Sequence, residues 1–105
     1  MQPHYFYMWR HPYSGMTCYG VSRNPDGRLR KYEGHNGFAV MFDYLVKGSQ
    51  EQIDALENEL KEFIKKLNVG FKGYEWINEE VDYDSIVATV EYLSEGKNFE
   101  KIISD

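Results

Sequence analysis

The feature that most constrains this chain is its first 37 residues. Tyr5-Phe6-Tyr7 is followed ten residues later by Cys18-Tyr19-Gly20, and then by Ser22, Asn24-Pro25 and Arg28-Leu29. His4 to Arg10 is built of strand formers, with Tyr5, Phe6, Tyr7, Met8 and Trp9 in succession. His11-Pro12-Tyr13-Ser14-Gly15 is a turn: proline fixes φ and glycine is free to take positive φ. Met16 to Ser22 reads as a second strand, so the two form an antiparallel hairpin. Asn24-Pro25 is an N-cap followed by proline in the first helical turn. A helix is expected to run through Arg28, Leu29 and Tyr32, with Leu29 and Tyr32 facing inward. Gly34-His35-Asn36-Gly37 is expected to end it as a loop.

Phe38 to Lys47 reads as a third strand, with Phe38, Val40, Phe42, Tyr44 and Val46 on one face. Ala39, Met41 and Leu45 make the other face apolar too, which implies a central strand covered on both sides. Ser49-x-x-Gln52 is a capping box. It opens a helix with Ile53, Leu56, Leu60, Phe63, Ile64 and Leu67 in one stripe, ending near Asn68 and Gly70. Phe71 to Ile77 reads as an aromatic connector or short strand. Ser85 to Leu93 reads as a helix capped by Asp84 or Ser85 and stopped at Gly96, with a short turn over Asn98 to Ile103. The expected fold class is α+β, in the order β-β-α-β-α-α, with a small, mostly antiparallel three-stranded sheet flanked by helices.

A chain of 105 residues is one domain, and burial of roughly 60–70% of its unfolded surface leaves one modest core. Its core is expected over about 5–78, with a helical extension over about 79–105. No apolar run reaches the ~20 residues of a membrane span, and the N-terminus lacks the pattern of a signal peptide. One cysteine excludes an internal disulfide, and no Cys/His set has zinc-site spacing. A reducing cytoplasm is the expected compartment. The net charge of −5 is unevenly placed: residues 1–48 carry six cations against three acids and all three histidines, residues 49–105 six lysines against fourteen acids. A basic, motif-bearing half suits an approach to phosphate, although a solvated acidic helix surface by itself explains the second half. Glu79, Glu80, Asp82 and Asp84 lack the glycine and closing glutamate of a calcium loop.

The hairpin, the Asn-Pro helix start and an arginine eight residues beyond Gly20 resemble the GIY-YIG nuclease family. The resemblance covers about residues 5–78 and is strongest in the first 35, where Gly20-Val-Ser22-x-Asn24-Pro25-x-x-Arg28-Leu29 carries it. It implies a metal-dependent DNA endonuclease using one Mg²⁺ or Mn²⁺ ion. Tyr7 matches the first-motif tyrosine, Gly20 the second-motif glycine, and Arg28 the phosphate-holding arginine. Tyr32 stands where members have histidine or tyrosine, and His35 is placed to orient phosphate or relay a proton. Tyr7, Arg28 and His35 are thus the expected catalytic residues, and Gly20, Ser22, Arg30 and Tyr32 the expected substrate contacts. Glu59 is the expected metal ligand, with Glu57 as the alternative. Asn78 or Glu75 matches the supporting asparagine.

Two departures keep alternatives open. Tyr5 stands where the first motif has glycine, and Cys18 replaces the tyrosine that helps activate water. A buried neutral thiol is inert, so Cys18 is no assumed substitute, and Tyr19 points to the other strand face. A catalytically degenerate module binding nucleic acid, a nucleotide or a protein partner is therefore the second expectation. An interaction domain outside the family is the third. Without an appended DNA-reading domain, weak sequence specificity or a homodimer is expected.

Overall fold

The computed structural model describes residues 3–67 and 76–103. In chain order it forms β1 (His4–Arg10), β2 (Thr17–Ser22), α1 (Pro25–Asn36), β3 (Tyr44–Gly48), α2 (Gln50–Lys65), β4 (Trp76–Ile77), α3 (Tyr83–Ser94) and β5 (Glu100–Ile103). The architecture is a small α+β domain. Every strand pair is antiparallel, and the sheet order is β4-β2-β1-β3-β5. The sheet therefore has five strands where three were expected, and β1, not β3, lies at its centre. Among the described residues no helix is long and apolar enough to cross a membrane.

The hairpin forms as its composition dictates. β1 and β2 pair from Tyr5↔Ser22 to Arg10↔Thr17, and Gly15 takes the positive φ of 76° that the turn requires. α1 is capped by Asn24, whose Oδ1 accepts the Gly27 N–H, and it closes on Gly37 at φ 71°. His35 thus lies in the last turn of α1 instead of in a following loop.

The long third strand is a correction. Only Tyr44–Gly48 is strand, and residues 38–43 are an irregular segment. Two anchors hold that segment: the Val40 N–H donates to Glu33 Oε2 at 3.0 Å, and the Asp43 carboxylate accepts the Arg10 N–H at 2.8 Å. The alternation breaks at Asp43, so Val40 and Phe42 pack on the α1 side with Leu45, while Tyr44 and Val46 pack on the α2 side.

The capping box of α2 is present at Ser49 and Gln52, and Ile53, Leu56, Leu60 and Ile64 are buried. Phe63 and Leu67, expected in that stripe, are exposed at the end of the helix. The expected stop at Asn68 and Gly70, and residues 71–75 of the aromatic connector, lie outside the described residues. α3 is capped two or three residues earlier than expected: Asp82 accepts the Ser85 N–H, and Tyr83 opens the helix. The C-terminal extension is not wholly helical, because β5 returns to pair with β3 (Lys47↔Glu100, Leu45↔Ile103). Gly48 permits this return. A Cβ there would stand 2.9 Å from Phe99 Cδ1, just before β5 begins.

Strand alternation splits the interior into two layers. Phe6, Met8, Tyr19, Tyr44, Val46 and Ile77 face α2 and α3 and pack on Ile53, Leu56, Leu60, Ile64, Ile86 and Val90. Tyr7, Trp9, Cys18 and Leu45 face the other way, under Val40, Phe42 and the Leu29 and Tyr32 side chains of α1.

Candidate functional site

The α1 layer holds most of the residues singled out by sequence. Tyr7 and Gly20 are directly opposite in the β1–β2 pair. A Cβ on Gly20 would lie 2.7 Å from Tyr7 Cζ, so the glycine lets the Tyr7 ring cross β2 and reach α1. There the Tyr7 and Tyr32 hydroxyls share a 2.8 Å hydrogen bond, and the Cys18 thiol donates to Tyr32 Oη at 3.5 Å. Phe42 stacks on the far side of Tyr7 with ring centroids 4.9 Å apart. Gly20 therefore acts by making room.

Burial sets the chemistry of this cluster. Tyr7 and Cys18 have no solvent exposure, while Tyr32 is half-buried. Burial first, then the bond to Tyr7 and the neighbouring Cys18, push the Tyr32 hydroxyl far above the ordinary tyrosine range. Tyr32 keeps its proton at neutral pH and can serve as a hydrogen-bond donor, not as a tyrosinate base. Tyr7, with no exposed surface, is bonded to the partly exposed Tyr32. Cys18, a sealed thiol, has no path to a substrate.

Ser22 ends β2, and its Oγ accepts the Asn24 N–H at 2.9 Å, which turns the chain into α1. On α1, Arg28, Tyr32 and His35 fall at i, i+4 and i+7 and share one flank of the helix. Lys31, which the sequence reading counted only as charge, joins the same flank at i+3. Arg30 is about 200° around the helix from Arg28, at 3.6 residues per turn, so the two cannot grip one phosphate. Arg28, Lys31 and His35 are exposed and form no ion pair among the described residues. The result is an open cationic stripe beside a sealed hydroxyl cluster.

Glu59 is separated from that stripe. It is exposed on α2, across the sheet from α1, and its Oε2 lies 3.9 Å from Lys97 Nζ. Glu57 is partly buried and already engaged; the helical period puts it on the inward flank beside Ile53, Leu60 and Ile64. This is the sheet face that carries Tyr19. Asn78 is a turn residue whose Oδ1 accepts the Glu80 N–H at 2.9 Å, and Glu75 lies outside the described residues.

Among the described residues no three His, Cys, Asp or Glu side chains gather around one point. A single carboxylate still fits Mg²⁺ chemistry, because that ion is commonly held by one or two carboxylates, waters and substrate phosphate oxygens. Both acids lie on α2, across the sheet from the α1 stripe, Glu59 turned outward to Lys97 and Glu57 inward. Comparison with protein-family models, curated proteins and solved structures finds no match.

Proposed function

We propose that this protein is a GIY-YIG-like domain acting on DNA, a metal-dependent endonuclease that hydrolyses phosphodiester bonds. The observation that carries the reading is the pairing of β1 with β2 beside α1, with Arg28, Lys31 and His35 on one open flank next to Tyr7 and Tyr32. The element order β1-β2-α1-β3-α2 supports the reading, while β4 and β5 go beyond the three strands that the resemblance implies.

In this reading Arg28 holds a non-bridging phosphate oxygen through its fork of N–H donors. Lys31 and His35 extend the grip along the strand, and the protonated Tyr32 hydroxyl supplies one more donor to developing negative charge. Glu59 or Glu57 of α2 would hold a divalent ion, with the substrate strand reaching it around the sheet from the α1 stripe. When bound, that ion lowers the pKa of a water and neutralises phosphate charge. His35, exposed on the α1 flank, is the side chain left to take the water's proton, because Tyr7 is sealed and Cys18 stands buried where the family has its tyrosine.

The buried Cys18 favours a second reading, a module that binds nucleic acid through the same stripe without cutting it. The two readings separate in one experiment. Single-stranded, duplex and branched DNA are incubated with Mg²⁺ or Mn²⁺ and the parent chain, Arg28→Ala or Glu57→Ala. Cleavage by the parent alone supports the endonuclease. Salt-sensitive binding without cleavage, lost only in Arg28→Ala, supports the binding module. Neither cleavage nor binding removes both.

A further inference from the structure

A groove of about 440 Å³ opens where the hairpin turn meets the irregular segment before β3, lined by Trp9, Arg10, His11, Phe38, Met41 and Asp43, among others. Its volume falls within the usual range of small-molecule sites. Met41 in its lining is 80% exposed, and Tyr13, which follows the lining residue Pro12, is 82% exposed. Tyr13 and His11 both meet Phe38 edge-on, at 5.5 Å and 5.3 Å between centroids. The array continues inward from His11 to Trp76 and Trp9, and from Trp9 to Tyr32 on α1.

The Asp43 carboxylate in the lining accepts the Arg10 N–H, and two ring N–H groups are donors. His11 Nδ1 accepts the Tyr13 and Ser14 N–H groups at 3.3 and 3.1 Å. The neutral ring must then carry its proton on Nε2, and that donor has no partner among the described residues. The buried Trp9 Nε1–H is a second donor without a partner. A ligand for this groove thus has a π face and an edge of hydrogen-bond acceptors. Nucleobases have both. The groove also starts at the end of the cationic stripe, since Gly37 closes α1 and Phe38 follows, three residues after His35. The half of the chain that contains it carries the six cations against three acids.

We infer that the groove seats an unpaired base of a single strand, stacked on Tyr13 with its edge toward Phe38 and accepting from His11 Nε2, while the α1 stripe holds the backbone. The inference deepens the function proposed above by naming single-stranded nucleic acid as the substrate class. It rests on that reading for its anionic partner, but not on cleavage.

The test is binding of the full chain to a labelled oligo(dT) in EDTA, read by fluorescence anisotropy, beside an abasic strand of equal length and a blunt duplex. Tyr13→Ala is the main variant, because a side chain so exposed does not support the fold, and Tyr13→Phe restores the ring. Base stacking of this kind predicts a five- to hundredfold loss of oligo(dT) affinity in Tyr13→Ala. Recovery in Tyr13→Phe is expected, with little change for the duplex. The abasic strand should bind the parent as weakly as oligo(dT) binds Tyr13→Ala. Equal binding of abasic and normal strands, no loss in Tyr13→Ala, no binding to any strand, or binding of a proline-rich peptide in place of oligo(dT) would each overturn the inference. Cleavage with base-independent binding would leave the nuclease standing and remove the groove. Base-dependent binding without cleavage would do the reverse.

Discussion

The two faces of one sheet solve different problems. Toward α2 and α3 the helices contribute aliphatic side chains: four residues of α2 and two of α3 are buried against Phe6, Met8, Tyr19, Tyr44, Val46 and Ile77. Toward α1 the layer is aromatic and carries hydroxyls and a thiol, and α1 contributes no fully buried residue. A helix with a wide apolar stripe is held by burial. A helix like α1, attached through Leu29 and Tyr32, keeps most of its circumference free for charge. Stability should therefore concentrate on one face and recognition on the other.

The largest expected effect tests the first half of that statement. Leu60→Ala empties a fully buried site on α2 and should cost about 2–5 kcal/mol, read as a lower urea midpoint. Leu29→Ala, on half-buried α1, should cost clearly less. Equal losses would mean that α1 is as deeply seated as α2, and the contrast between the faces would fail.

Next in size is the close approach on the α1 face. Gly20→Ala forces its methyl against the Tyr7 ring and should cost about 1–3 kcal/mol. The same substitution in a Tyr7→Leu background should cost little, since the ring that it meets is gone. A double-mutant cycle on denaturation midpoints measures the coupling. No coupling would show that Gly20 serves something other than Tyr7.

How much of this was legible in the sequence follows the same division between local and distant causes. β1 has the bounds that its aromatic run suggested, and Ser49 and Gln52 cap α2 as their spacing required. Asn24 and Pro25 place α1, and with it the flank of Arg28, Tyr32 and His35. Those features are set within a few residues. β5 was missed because its four residues are all exposed and show no alternation; it is specified by β3 and by the gap at Gly48 that admits Phe99. The strand expected over 38–43 was lost to two side-chain anchors, Glu33 to Val40, seven residues away, and Arg10 to Asp43, 33 residues away. The candidate metal ligand was hardest, because helical spacing alone does not say which sheet face α2 covers. Glu59 turned out to point to Lys97, away from the α1 stripe.

A smaller effect compares one tyrosine on each face. Burial raises the hydroxyls of both Tyr32 and Tyr44, with the nearby Glu91 charge adding to Tyr44. In the unfolded chain both ionise near pH 10. Below that pH their contribution to stability is fully present; above it the unfolded state loses protons that the folded state retains, so stability falls as pH rises. Tyrosinate absorbance should show these two titrating only as the chain unfolds. Tyr32→Phe should flatten the alkaline limb without moving the neutral midpoint by more than the loss of its two hydroxyl and thiol contacts. Ionisation of Tyr32 near pH 10 in the folded chain would mean that its cluster is open to water.

The smallest expected change in stability is also the sharpest test of the division. Glu59 and Lys97 form an exposed pair at 3.9 Å, so Glu59→Ala should alter stability by about 0–1 kcal/mol. If recognition belongs to the α1 face alone, Glu59→Ala should also leave oligonucleotide affinity within twofold, whereas Arg28→Ala should lower it and reduce the salt slope by about one unit. Glu57→Ala should spare that affinity too, yet remove any metal-dependent cleavage. Cleavage lost in Glu57→Ala or Glu59→Ala with binding and folding intact would place the metal on α2, across the sheet from the stripe. The active site would then wrap around the sheet, and the two faces would share one chemistry.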